Sequence, residues 1–260
     1  MLKRVLKMSF WVWYDYMGTW FVFNLCFICP MIFLSIPLWS FEGEFFSLSG
    51  IFLFLLMGAY FFFVNVFVSS FTVAIFEHKD GLREKFVYAL RIAVLKAVPV
   101  FFLFLLLFLI LWVNVWFYVS GIFLNFLWAK YVLMGFFIWF GVFTFLALLW
   151  VIPSLSFKNM ALWRYIYWGY VLLLANPYFS FQVLFCYTMI CLLNVFPLFF
   201  FFIGMVLPSI FLTCAYEILS RRYEGLQTSG DKLEDYQIFK DYEDEFLNRS
   251  WEHLIKPWKL

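Results

Sequence analysis

The chain has 260 residues, of which 66% are hydrophobic, 27% aromatic and only 13% charged. A soluble globular domain must cover its surface with polar side chains, and this composition excludes one. The net charge of +2 hides a segregation, because 16 of the charged residues fall in 221–260, and no basic patch of the kind that binds nucleic acid is present.

Read from the N-terminus, Lys3, Arg4 and Lys7 precede an apolar stretch, as in a signal peptide. The stretch is longer than a signal core and has no small-residue cleavage site, so the segment is expected to be retained. Trp11, Trp13, Tyr14, Tyr16 and Trp20 follow, a group suited to headgroup depth. The first expected span is 18–39, bent at Pro30, and the second is 51–76.

Residues 77–97 are cationic, and within them Leu82, Phe86, Ala89, Ala93 and Ala97 form an apolar stripe with Arg83 and Arg91 off it. That pattern predicts an amphipathic helix over 82–97 lying in the membrane interface. Spans over 98–120 and 131–153 come next. Residues 159–175, with Arg164 and the aromatic set Trp163, Tyr165, Tyr167, Trp168 and Tyr170, predict a second in-plane helix. The uncharged run that follows is broken only at Asn194 and Pro197, which predicts a tight hairpin of spans 177–196 and 198–219, the latter bent at Pro208. Each span is long enough as helix to cross about 30 Å of hydrocarbon. Runs such as 101–107 do not alternate as barrel strands would.

The fold class expected is therefore all-α: a polytopic integral membrane protein with about six transmembrane helices in three hairpins, in-plane amphipathic helices, and a short cytoplasmic tail. The membrane domain is 1–220 and the tail 221–260. Orientation follows from the cations, since cationic loops are held on the cytoplasmic side. With six spans, all but Lys130 of the 18 Lys and Arg fall on one side, so both termini are expected in the cytoplasm of a multi-pass cell-membrane protein. Segments 3–16, 82–97 and 159–175 recur with an offset of 78 residues that also aligns Ala97-Val98-Pro99 with Ala175-Asn176-Pro177, which suggests a threefold repeat. In the tail, Thr228 to Asp231 reads as a helix start, followed by Leu233, Tyr236, Phe239, Tyr242 and Phe246 at near-helical spacing. Trp251 and Trp258 could fold back onto the cytoplasmic face, where the acceptor-like Asn248-Arg249-Ser250 would escape glycosylation.

Chemistry is sparse. The expected spans contain essentially no ionisable residue of the kind that proton relays and ion sites need. Asp15, Glu77 and Glu217 sit near cytoplasmic ends where they can reach water. Cys26 and Cys29 have metal or redox spacing, but no nearby His or second pair completes a zinc site, and His78 and His253 are far apart. The five cysteines suit small apolar packing residues better than a disulfide framework. The polar groups at membrane depth are Asn24, Asn65, Asn114, Gln182 and Asn194, with Ser69, Ser70 and Thr72. They read either as interhelical packing groups or as the lining of a polar path. No catalytic residue, cofactor or metal is expected.

Tyr14 to Gly18 with Phe23-Asn24, Asn114 to Tyr118, and Ala175-Asn176-Pro177-Tyr178-Phe179 resemble the YesL-like family of bacterial polytopic membrane proteins over roughly 10–220. Ile36 to Ser40 lacks the Thr and Gly-Pro usual in that family, and the tail lies outside its pattern. The resemblance implies a cell-membrane protein whose relatives often lie near genes for carbohydrate uptake and glycan breakdown. It carries over no catalytic residue. The function expected is a non-enzymatic membrane protein, accessory to a carbohydrate-uptake system, with the bilayer and transporter subunits as partners. The alternatives are a permease subunit or channel, for which 81–97 would be the helix offered to an ATPase although the Glu-Ala-Ala and Gly pattern is missing, and a membrane enzyme acting on lipid or glycan.

Overall fold

The computed structural model describes residues 1–40, 48–79, 81–119, 127–157, 160–194, 203–229 and 249, and all its regular structure is helical. The helices are α1 (Leu2–Asp15), α2 (Met17–Ser40), α3 (Leu48–Phe76), α4 (Leu82–Ile92), a π turn (Ala93–Ala97), α5 (Val98–Val119), α6 (Leu127–Phe157), α7 (Leu162–Ala175), α8 (Pro177–Leu193) and α9 (Val206–Ser229). Except for Arg249, the tail beyond Ser229, with its expected helix and both Trp, lies outside the described residues. Two compact units form: Met1–Ile28 with Phe185–Leu260, and Cys29–Leu184.

In the second unit, α3 and α4 make an antiparallel hairpin closed by a tight turn. Lys79 N–H donates to the Ala74 carbonyl (3.1 Å) and His78 N–H to that of Ile75 (3.0 Å), the paired bonds of a Schellman cap. His78 holds the left-handed position with φ 50°, where glycine is usual. Gly81, at φ 71° and ψ 148°, then starts α4 in a conformation that a Cβ would disfavour. Thus His78, weighed above as a chemical group, has a backbone role.

The expectation of a separate in-plane helix over 82–97 fails. Residues 82–119 are helical without a break, and α4 runs back alongside α3, with Phe86 against Phe67 at 5.4 Å between ring centroids. The reason lies in the stripe itself. Ala89, Ala93 and Ala97 are buried, so small residues bring the helices close, while Leu82 and Phe86 stay exposed. The separate element and the full threefold repeat go with it. The 159–175 expectation fares differently: α7 is its own helix, and α8 leaves it at 103° at Asn176, just before Pro177.

Three helices are long and apolar enough to cross a membrane, Leu55–Phe76, Leu82–Val115 and Tyr131–Phe157, and the bent pair α7–α8 makes a fourth if it is one broken span. That is fewer than the six expected among the described residues. Of α2, the first expected span, the apolar stretch described with its side chains is Met17–Pro30, and α8, the expected fifth span, has 17 residues. For the expected sixth span, 195–202 lie outside the described residues and α9 begins only at Val206. Nor does this helix stop where the tail was expected to begin at 221: it continues to Ser229, so Thr228 and Ser229 close a helix instead of starting one. The Glu217–Arg221 pair, one turn apart, bridges the expected boundary.

The fourth span is longer than its expected end. Pro153 sits inside α6, which continues to Phe157 although the proline withdraws one donor from the ladder. On α6, Gly169 of α7 comes so close that an added Cβ would lie 2.9 Å from the Ala147 carbonyl oxygen. Trp150 stacks on Phe179 and donates from Nε1 to Ser180 Oγ (3.0 Å), tying α6 to the start of α8.

In the first unit, α1 packs on α9 through an apolar face that includes Val5, Met8 and Val12. Tyr16, with φ −112° and ψ 21°, breaks the helix between α1 and α2. Trp20 then reaches back, donating from Nε1 to the Val12 carbonyl (3.2 Å) in the last turn of α1.

Candidate functional site

The five amides proposed from sequence are dispersed over α2, α3, α5 and α8, with Asn194 just past the end of α8. Asn65, buried on α3, donates from Nδ2 to the Phe61 carbonyl (2.8 Å), and Asn114 on α5 donates likewise to Ile110 (2.7 Å). Each thus uses a carbonyl one turn back in its own helix, which satisfies a polar group at membrane depth without a substrate. Asn194 donates to the Gly204 carbonyl (2.8 Å), joining the end of α8 to the turn before α9. Asn24 is buried on α2, and Gln182 is half-buried on α8. Ser69 and Thr72 are buried on α3, and Thr72 donates to the Val68 carbonyl (2.9 Å).

Substituting Asn65 or Asn114 singly by Leu is expected to leave a folded protein and lower its stability by under about 1 kcal/mol, since even hydrogen bonds between helices in membranes average only about 0.6 kcal/mol and these bonds lie within one helix. Thermal melts in detergent check this. A loss of several kcal/mol at Asn114 would give that amide a larger role than its own-helix bond supports.

What sequence reasoning missed is a polar seam where α3, α4, the π turn and α6 meet. Ser70 Oγ donates to the Val66 carbonyl (2.8 Å) and lies 2.8 Å from Ser156 Oγ, so with its own proton committed it accepts from Ser156. Tyr88 Oη donates to the Ser156 carbonyl (3.3 Å), and Lys96 Nζ to the Leu155 carbonyl (3.1 Å). Those carbonyls belong to the last turn of α6, where intrahelical donors run out and the helix dipole is negative. An ammonium there is the complementary charge. Lys79, 2.9 Å from Glu77, also lies 4.1 Å from the Tyr88 ring centroid and extends the seam to the α3–α4 turn.

The signal for this seam was present in the sequence. Lys96 lies three residues after Ala93 and seven after Ala89, on the face those buried alanines define. A cation there needs a partner, and the end of α6 supplies it. The five-residue π turn holds Lys96 at this place. The seam closes a helix end and locks these four elements together; its donors and acceptors are used on the protein itself.

The three carboxylates named from sequence are each ion-paired. Glu77 pairs with Lys79, Glu217 with Arg221 Nε (2.7 Å), and Asp15 with Arg249 Nη1 (2.8 and 2.6 Å to its two oxygens). Glu217 departs from the expectation of a solvated group: it is only 6% exposed, and its partner one turn on offsets the loss of water. Arg249 also lies 5.3 Å from the Trp11 ring centroid, so this side chain rests on α1. All five cysteines are free thiols, and among the described residues no three His, Cys, Asp or Glu side chains are grouped to hold a metal ion. No family model matches the sequence, and no curated protein or solved structure matches the chain.

Proposed function

We propose that this chain is a multi-pass membrane protein that acts by association, as an accessory component of a carbohydrate-uptake system, with both termini in the cytoplasm. The observation that carries the association reading is the use of polar side chains at helix joints. Ser70–Ser156, Thr144–Tyr170 and Trp150–Ser180 each join two elements of the membrane unit. A scaffold so joined presents its remaining surface, including exposed Phe136, Trp139, Phe143, Phe181 and Phe185, to lipid and to neighbouring proteins. The carbohydrate link rests on the resemblance to the YesL-like family.

Purification of the full chain in mild detergent, followed by mass spectrometry, tests the reading. Subunits of a sugar transporter are expected to co-purify. Transport of a sugar by the chain reconstituted alone would contradict it and favour the second reading, a permease. One feature supports that rival: the 103° break between α7 and α8 is of the sort that lines substrate paths in transporters.

A further inference from the structure

The seam described above leaves one recess unexplained, on the other side of the π turn. Ala59, Phe62 and Phe63 of α3 face Ala97, Phe101 and Phe102 across a cavity of about 110 Å³ with no polar lining atom. A Cβ built on the neighbouring Gly58 would meet nothing within 4 Å, so open space adjoins it. Val98, also on its wall, is 45% exposed, and Phe102 is 61% exposed, which places the mouth on the outer face of α5. Water needs two to four polar partners to occupy such a recess, and none line it. An apolar occupant fits instead, and at this volume it is a few methylenes of a longer chain.

The same helix offers that chain a site for its headgroup. Arg91, Leu95, Val98 and Phe102 are all exposed on this one continuous helix, with the π turn Ala93–Ala97 lying between Arg91 and Val98. Arg91 makes no ion pair or hydrogen bond among the described residues. It stands seven residues before Val98, about 10 Å along the axis at helical rise, which is the direction of the cationic end of the hairpin. Thus one exposed cation and one apolar recess lie on the same helix at an axial separation that a phosphate and the upper part of an acyl chain span in a phospholipid.

We propose that the α3–α5 recess and Arg91 together bind one anionic glycerophospholipid of the bilayer, its phosphate on Arg91 and one acyl chain in the recess against Ala59, Val98 and the outer edge of Phe102. The inference does not depend on the transporter reading. It needs only that α3 and the helix from Leu82 to Val115 cross the membrane.

The test uses the full chain in detergent with phosphatidylglycerol and phosphatidylcholine of identical acyl chains, each carrying a photoreactive group on one chain. Native mass spectrometry should show phosphatidylglycerol retained about fivefold more, the preference that one interfacial cation confers. Crosslinks should concentrate in 58–63 and 97–102. Arg91→Gln should remove the headgroup preference and leave the crosslink position unchanged. Ala59→Leu, which fills the recess, and Phe102→Ala, which removes an exposed wall without touching a buried one, should each lower crosslinking there severalfold. Equal retention of the two lipids by the wild-type chain overturns the proposal. So do crosslinks spread evenly over the exposed faces of α5 and α6, or crosslinking unchanged in both cavity variants.

Discussion

Trp150→Ala is expected to destabilise the protein by about 3–5 kcal/mol, the usual cost of removing a buried Trp or Phe. Trp150 is 1% exposed, stacks on Phe179 at 6.0 Å between centroids, and donates to Ser180. In a bilayer the loss comes from packing more than from water, because lipid tails are as apolar as the side chain. The cavity left behind still lacks partner atoms, and the Ser180 hydroxyl loses its donor. Trp150→Phe separates the two contributions: keeping the ring contact while losing the hydrogen bond should cost roughly 1–2 kcal/mol. Thermal unfolding in detergent reads both. A Trp150→Ala protein melting within a degree or two of wild type would show that α6 and α8 are not held together at this joint.

Gly169→Leu is the second large effect, and it acts by the opposite mechanism. A Cβ at 169 would lie 2.6 Å from Val151 Cγ2 and 2.9 Å from the Ala147 carbonyl oxygen. The valine can rotate; the carbonyl belongs to the α6 backbone and cannot. Gly169→Ala should therefore cost about 1–3 kcal/mol, as overpacking does, and Gly169→Leu should prevent α7 from docking at all. Val151→Ala in the Gly169→Ala background should recover only part of the loss, because it relieves the side chain and leaves the carbonyl. Full recovery would mean that the backbones are free to separate.

How much of this was legible in the sequence varies by element. Uninterrupted apolar runs announced α3 and α6, because lipid leaves a chain few ways to satisfy its backbone other than helix. The fate of 82–97 was not legible from its amphipathic pattern. A stripe of Ala89, Ala93 and Ala97 looks the same whether it faces the core of a bundle or the surface of a bilayer, and only the partner helix decides. Lys96 shows the same ambiguity in one residue. Its charge marked the segment as interfacial, yet its position on the alanine face directed it to the end of α6. For the amides, sequence identified polar groups that had to be satisfied. It did not tell that Asn65 and Asn114 would use their own helices, since that choice depends on rotamer and neighbours. Glu217 was misplaced for a similar reason: its partner Arg221 lay across an expected boundary that the helix ignores.

In the proposed topology these helices thread a membrane with their cationic ends inside. Single cysteines at positions 47, 84, 125 and 229, placed in a chain whose five native cysteines are replaced, test it by labelling with a membrane-impermeant maleimide on either side of oriented vesicles. Ser47→Cys and Asn125→Cys are expected to react only from outside, and Glu84→Cys and Ser229→Cys only from inside. Reaction of Glu84→Cys and Asn125→Cys from the same side would contradict it, because the helix between them could then not cross the bilayer.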